Sequence, residues 1–273
     1  MKAIISHDID HITVWEHLFR DMIIPKYMAR MHIELLSGKI SMREYTLRWS
    51  DFFKNKWQNI DELITFNNIH QLPSSFFIAV NKGIGLNYGN TAAMLWIEQM
   101  KSRNCELGLH GIEFDNAINM KQERDLFESL THLPHFGIRM HYVRNSDRTF
   151  QLLQDTGYRY DSTEHSFRNP YKIGRMWEFP FQIMDGWVIE NYKKWQSLDL
   201  VKAKENTLKL IDKAVDQKLE YLGIDFHDRY FSHSFKTWLD WYVWLIEYLK
   251  ANSIDFVNFH TAIGEMEAIG DSH

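Results

Sequence analysis

Two carboxylates and two imidazoles fall within six residues near the start of the sequence, Ser6-His7-Asp8-Ile9-Asp10-His11, directly after the apolar run Ala3-Ile4-Ile5. These groups exchange protons near neutral pH and bind divalent metals. A strand can end on one Gly, Asn or Asp, so the stretch carries more polarity than a turn requires. The chemistry it could do is metal binding, proton transfer, or both. An isolated Asp-x-Asp also serves as a helix-capping turn, so the question passes to what else in the chain could meet it.

The elements that would position such groups follow from hydrophobic period and turn residues. Residues 3–6 predict a buried strand. Residues 13–38 carry a helical pattern that Pro25 bends or breaks, and 41–55 a second helix opened by a Ser41/Glu44 capping box. Helical patterns also cover 61–68, 91–103, 120–130, 148–156, 200–217, 235–251 and 261–269. Strands are predicted at 73–80, 105–109, 136–139, 158–160, 177–184, 219–226 and 254–258, with 81–90 a loop holding three Gly. Strand and helix alternate, which predicts a parallel α/β sheet. About seven strands over this length favour a (β/α) barrel forming one domain, 1–273, with residues 13–57 a helical insertion at its mouth.

In a parallel barrel all strand ends open on one face. The first strand brings His7, Asp8, Asp10 and His11 there, and the 105–109 strand brings His110. The 136–139 strand adds Arg139 and His141, the 177–184 strand Asp185, and the 219–226 strand His227 and Asp228. Each alone is ordinary; a lone His after a strand is more often a structural hydrogen-bonder than a ligand. Five polar strand ends at one mouth add nothing to a core, and their clustering points to a site.

Taken in order, Ser-His-Asp-Ile-Asp-His11, Glu-Leu-Gly-Leu-His110-Gly, Gly-Ile-Arg139-Met-His-Tyr142, Tyr-Arg-Tyr-Asp161-Ser-Thr, Glu-Phe-Pro-Phe-Gln-Ile-Met-Asp185 and Gly-Ile-Asp-Phe-His227-Asp resemble the polysaccharide deacetylases (NodB-homology, carbohydrate esterase family 4-like domains). The likeness is to the branch found with surface-polysaccharide genes. It spans nearly the whole chain apart from the helical block 13–55, and its weight lies in the order of short motifs.

The resemblance implies a distorted (β/α) barrel that holds one divalent metal, zinc in most members. It implies removal of an N-acetyl or N-formyl group from an amino sugar of a surface polysaccharide or its precursor. Residue by residue, Asp8 matches the base and Asp10 and His110 match metal ligands. Arg139 matches the residue that orients the base, Tyr142 the backbone N–H donor to the oxyanion, and His227 the general acid. Asp185 or Asp228 would hold the His227 ring, with Asp185 preferred. The chain departs at one point: the family's second metal His lies four residues after the first, and here that position is Phe114. Glu113, Asp115, His7, His11 or His165 could substitute, water could fill the place, or metal binding could be lost, which would leave a non-catalytic glycan-binding barrel.

Bulk properties narrow the remaining classes. The chain is 45% apolar and 15% aromatic, with ten Trp, enough for a large core and for flat ligand-binding walls. A net charge of −5 without a Lys/Arg block disfavours nucleic-acid and anionic-membrane binding. Cys105 is the one cysteine, so no intrachain disulfide or Cys-based zinc framework forms. No leader-like or membrane-spanning apolar run is evident, and the expected compartment is the cytoplasm. A glycosyltransferase could use Asp8-x-Asp10 for a nucleotide-sugar metal. In those enzymes, however, the motif usually follows a nucleotide-binding half, and no Gly-rich phosphate loop precedes it here.

Overall fold

The alternating pattern forms a sheet with helices packed on its outer face. The computed structural model describes residues 1–191 and 193–270. Among these, nine strands make one sheet: β1 (Lys2–Ile9), β2 (Ser74–Ile78), β3 (Glu106–Gly111), β4 (Gly137–Met140), β5 (Tyr160–Asp161), β6 (Tyr171–Ile173), β7 (Met176–Glu178), β8 (Ile183–Met184) and β9 (Tyr221–Asp225). Their order is β6-β7-β5-β4-β3-β2-β1-β9-β8. Every pairing is parallel except β6 with β7. After β1 come α1 (Ile23–Leu36), α2 (Met42–Phe53) and α3 (Ile60–Ile69). Helices α4 (Asn90–Ser102), α5 (Ala117–Thr131) and α6 (Thr149–Thr156) follow β2, β3 and β4. Between β8 and β9 lie α7 (Asp185–Glu190) and α8 (Leu200–Asp216), and after β9 come α9 (Lys236–Ala251) and α10 (Phe259–Gly270).

The sheet is a curled, distorted barrel, and residues 176–184 show why it must curl. Sequence pattern predicts one strand there, but β7 pairs with β5 near one edge while β8 pairs with β9 at the other. Pro180 has no N–H for a ladder, and the run divides around it. From Glu178 to Ile183 the chain can span at most about 18 Å, so the two edges are brought together. Gly223 permits this approach, since a Cβ there would stand 2.8 Å from the Phe181 Cα. The count is nine strands rather than about seven because of this division and the β6–β7 hairpin. The strand predicted over 254–258 is only a bridge between Ala3 and Phe256.

Strand parity sorts the core into two layers. Ile4, Phe77, Tyr160, Phe179, Tyr221 and Phe259 fill the concave side. The larger cluster, including Ile5, Phe76, Phe226, Trp241 and Tyr242, lies between sheet and helices. β1 runs through Ile9, beyond the expected end at Ser6, so most of the polar motif lies inside a strand. Alternation therefore sends Ser6 and Asp8 to one side of the sheet and His7 to the other.

Between β1 and β2, the 13–57 segment contains α1 and α2. Pro25 is the third residue of α1, where helix N–H groups have no intrahelical acceptor, so it opens the helix instead of breaking it. The Ser41/Glu44 capping box forms as the sequence predicts. A buried ion pair joins Arg48 of α2 to Glu34 of α1. Arg48 Nε also donates to the Ser234 carbonyl at 2.7 Å, and the Gln196 N–H donates to Glu34 at 2.7 Å. These bonds pin the insertion to the loops around β9. No helix among the described residues is long and apolar enough to cross a membrane.

Candidate active site and metal centre

Arg139 anchors the interior side of the sheet. Its Nη1 donates to Ser6 Oγ (2.8 Å), Asp8 Oδ1 (3.1 Å) and Asp225 Oδ1 (2.8 Å). Nε and Nη2 donate to the Ser162 carbonyl (2.8 Å) and hydroxyl (2.9 Å). Burial disfavours the charge on Arg139, yet Asp8 and Asp225 hold it firmly protonated. Burial pushes the Asp225 carboxyl up to about 7, with Asp8 adding to the rise and Arg139 opposing it. One guanidinium thus lies between two carboxylates and fixes the rotamer of Asp8.

Above Arg139, Asp10 Oδ1 lies 3.1 Å from His110 Nε2 and 3.2 Å from His141 Nδ1, and the two ring nitrogens are 3.0 Å apart. The far ring atoms identify the protons. His110 Nδ1 is 3.1 Å from the Arg139 carbonyl, and His141 Nε2 is 2.9 Å from the Ile84 carbonyl. A carbonyl only accepts, so those nitrogens carry hydrogens, and the inward nitrogen of each ring is free to act as a ligand when the ring is neutral. Three donor atoms thus converge on one point, where a proton or a cation is needed between them. Burial opposes charge on both groups, yet Asp10 raises the His141 pKa, while His141 and His110 hold Asp10 well below the usual carboxylate range. Ligand atoms about 2.0–2.1 Å from one tetrahedral ion stand about 3.3 Å apart, close to the observed spacing. Outward N–H bonds to carbonyls are the usual support of metal-binding His. The donor set fits a divalent cation.

A neighbouring triangle behaves differently. His11 Nδ1 is 2.9 Å from His17 Nε2, which lies 3.1 Å from Glu16 Oε1. Asn87 Nδ2 donates to Asp21 Oδ2 (3.1 Å) and to His17 Nδ1 (3.2 Å). The His17 proton is therefore on Nε2, between the other two groups, and no ion is required.

On the other wall, His227 Nδ1 meets Asp185 Oδ1 at 2.9 Å, and the His227 N–H donates to Asp185 Oδ2 at 2.8 Å. Burial opposes the imidazolium, but Asp185 raises the His227 pKa well above its ordinary value. His227 Nε2 stands 3.7 Å from Asp10 Oδ2. Asp228, the other partner considered, instead accepts the Asn59 N–H at 3.0 Å.

Asp8, Asp10, His110, His141, Asp185 and His227 line one cavity of about 750 Å³. The α1 side chains of Ile23, Lys26, Tyr27, Arg30 and Ile33 form part of its wall. Tyr142 also lines it, with φ of 57° directly after His141. Its hydroxyl packs where a Cβ on Gly85 would stand, 2.6 Å away, and Gly85 itself has φ of +82°. The 81–90 loop is tied to β1 by the Tyr88 hydroxyl, which donates to the Ile9 carbonyl at 2.7 Å. That loop supplies the Ile84 carbonyl to His141.

Sequence reasoning placed Asp8, Asp10, His110, Arg139, Asp185 and His227 at the mouth, and the structure brings them together. It missed His141 as the third member of the Asp10 cluster. The alternatives offered for Phe114 lie elsewhere among the described residues. His7 is on the outer face of β1, bonded to the Phe226 carbonyl (2.8 Å) and Asn67 (2.9 Å), and burial lowers its pKa to about 3. His165 packs on Phe181 and Trp187. Glu113 accepts from Asn119 at 3.2 Å, Asp115 is exposed, and His11 bonds to His17. Phe114 packs against the core with the Arg144 guanidinium 5.1 Å above its ring. The missed signal was position: His141 directly follows β4, at the C-terminal end of the strand that carries Arg139.

No protein-family model matches the chain, and no curated protein matches it. Among solved structures it is similar to one named as a polysaccharide deacetylase from Mycobacterium smegmatis, with 13% identity and a TM-score of 0.61 over 99% of this chain and 91% of that chain. Another, named likewise, from Pseudomonas aeruginosa PAO1, has 13% identity and a TM-score of 0.57 over 75% and 71%. An allantoinase has 12% identity and a TM-score of 0.58 over 95% and 87%. The fold is the one these deacetylase structures share, as the sequence resemblance implies. One fold carrying two named activities leaves the substrate to the site.

Proposed function

We propose that the protein is a metal-dependent amide hydrolase that removes an N-acetyl or N-formyl group from an amino sugar of a bacterial surface polysaccharide or its precursor. The single observation that carries this reading is the Asp10–His110–His141 triangle, with the far nitrogen of each ring on a backbone carbonyl and a cavity of about 750 Å³ above it. The deacetylase fold agrees with it. Asp10, His110 and His141 would hold the cation, and this donor set suits zinc. When bound, the cation supplies Lewis acidity that eases deprotonation of water and polarises an amide carbonyl.

The chain's own residues would do the rest. Asp8, held by Arg139, accepts the proton of the attacking water. The water oxygen bonds to the carbonyl carbon, and the Tyr142 backbone N–H donates to the developing oxyanion. As the C–N bond breaks, the His227 imidazolium, kept protonated by Asp185, gives its proton to the leaving nitrogen. The products are a carboxylic acid and a free amine. Phe114 favours a non-catalytic reading, and His141 supports the catalytic one by bringing a third donor atom within 3.2 Å of Asp10 Oδ1.

The test is amine release from N-acetyl and N-formyl amino sugars by protein loaded with one zinc equivalent. Release should fall by about 10²–10⁴-fold in Asp8→Asn. Full activity of chelator-stripped protein would exclude the metal role, and unchanged activity of Asp8→Asn would exclude the base.

A further inference from the structure

Beside the metal triangle lies a wall of hydrogen-bond donors that this hydrolysis does not use. Arg229 lines the cavity with its guanidinium 4.0 Å over the Trp57 ring and 4.9 Å over Tyr27. Stacking engages the faces of a guanidinium and leaves its N–H edge to find acceptors. The Tyr27 hydroxyl takes one hydrogen bond from that edge, Nε is buried and has no acceptor, and no carboxylate among the described residues pairs with the group. Asp228, next in the chain, turns to the Asn59 N–H, and burial pushes its carboxyl up to about 8. It leaves the Arg229 charge unneutralised.

His11 shares the same indole, with ring centroids 5.5 Å apart. The Asp21–Asn87–His17 chain described above donates a proton to His11 Nδ1, so the remaining His11 proton is on Nε2. His11 lines the cavity and offers it a neutral N–H. Farther out, exposed Lys26 and Lys194 border the same space; Lys26 Nζ donates to the Asp21 carbonyl, and among the described residues neither forms an ion pair with a carboxylate. The carboxylates of the cavity are otherwise committed: Asp10 to the triangle, Asp8 to Arg139, Asp185 to His227 and Glu190 to Arg30. The outer cavity therefore carries uncompensated positive charge and unused donors.

We propose that this corner receives an oxyanion of the substrate, a carboxylate or a phosphate carried next to the amide-bearing sugar, with Arg229 as its charged partner and His11 Nε2–H as a second donor. The inference rests on the hydrolase reading for the sugar, but it specifies the sugar as anionic. A buried guanidinium gains a partner on binding, and charge-assisted hydrogen bonds of this kind separate anionic from neutral ligands by about 10- to 100-fold.

The experiment is calorimetric titration of the zinc-loaded full chain with N-acetylglucosamine, its 6-phosphate and its uronic acid. One or both anionic probes should bind about tenfold or more tighter than the neutral sugar, and which of them does so distinguishes phosphate from carboxylate. The gain should shrink with salt, disappear in Arg229→Gln and survive in part in Arg229→Lys. Equal binding of all three probes overturns the inference. So does a gain that persists in Arg229→Gln, since the cation or the rim lysines would then be the reader. Should Arg229→Gln fail to fold, Arg229→Lys decides: a gain as large as that of the unchanged protein overturns the inference, and a reduced gain supports it. Turnover of neutral and anionic sugars at one rate overturns this inference and leaves the hydrolase standing. Anion-selective binding lost in Arg229→Gln, without turnover of any N-acyl sugar, does the reverse.

Discussion

Glu106 and His110 lie on the same strand, four residues apart, and both side chains are buried on the concave side of the sheet. At the N-terminal end of β3, Glu106 Oε1 accepts from the Tyr160 hydroxyl (2.9 Å) and from His260 Nδ1, and Oε2 accepts from Ser75 Oγ (2.8 Å) and the Phe259 N–H (3.0 Å). Each of its lone-pair directions meets a donor. At the C-terminal end, His110 Nδ1–H donates to the Arg139 carbonyl, and Nε2 faces Asp10 and His141. Both clusters are polar and buried, so burial does not separate structure from function. Partnering does: one end closes its hydrogen bonds and fastens α10 beneath the barrel, and the other gathers Asp10, His110 and His141 around one point that favours positive charge.

That contrast can be broken by experiment, beginning with the largest effect. His141→Ala should lower zinc affinity by about 100-fold or more, since loss of outer-sphere partners alone costs 10–100-fold. Competition with a chromogenic chelator measures it, and unchanged affinity would move the centre away from this triangle. Glu106→Ala should act in the opposite sense, costing about 3 kcal/mol in urea unfolding because it strands buried donors, with zinc stoichiometry untouched. A loss of bound zinc there would erase the distinction between the two ends.

Asp228 gives a smaller, pH-dependent signal. Burial raises its carboxyl to about 8, whereas an unfolded Asp titrates near 3.9. Between those values the folded chain keeps a proton that the unfolded chain has lost. Its contribution is therefore full below about pH 4 and declines as pH rises toward 8. Asp228→Asn, neutral throughout, should flatten that decline by on the order of 2 kcal/mol between pH 5 and 8, as read from paired denaturation curves. Parallel curves for the two proteins would contradict it. Smallest of all, Phe114→His should leave zinc affinity unchanged, because position 114 packs under Arg144 and outside the triangle. A gain in affinity would restore the spacing that the family resemblance favours.

The regular elements were legible where a local rule sufficed. The capping box at Ser41/Glu44, the amphipathic α8 and the left-handed Gly157 after α6 all follow from short-range chemistry. The run 177–184 failed because Pro180 acts on pairing between distant strands, which no local pattern records. In the site, period-2 alternation in β1 already separates Asp8 from His7. The reading erred by treating the motif as a strand end, where parity has no force.

The sequence by itself determined which groups share a strand face and the order in which they occur, because backbone pleating and the turn residues are local. It also determined that carboxylates and imidazoles crowd the C-terminal ends of the strands. Only the tertiary structure decided that His141, rather than any residue near position 114, joins Asp10 and His110. That choice depends on the register that sets His110 beside Arg139 across β3 and β4, on the left-handed turn at Tyr142, and on the Ile84 carbonyl from a distant loop. These are contacts between segments far apart in the chain, and their alignment follows from packing, which spacing along one strand does not encode.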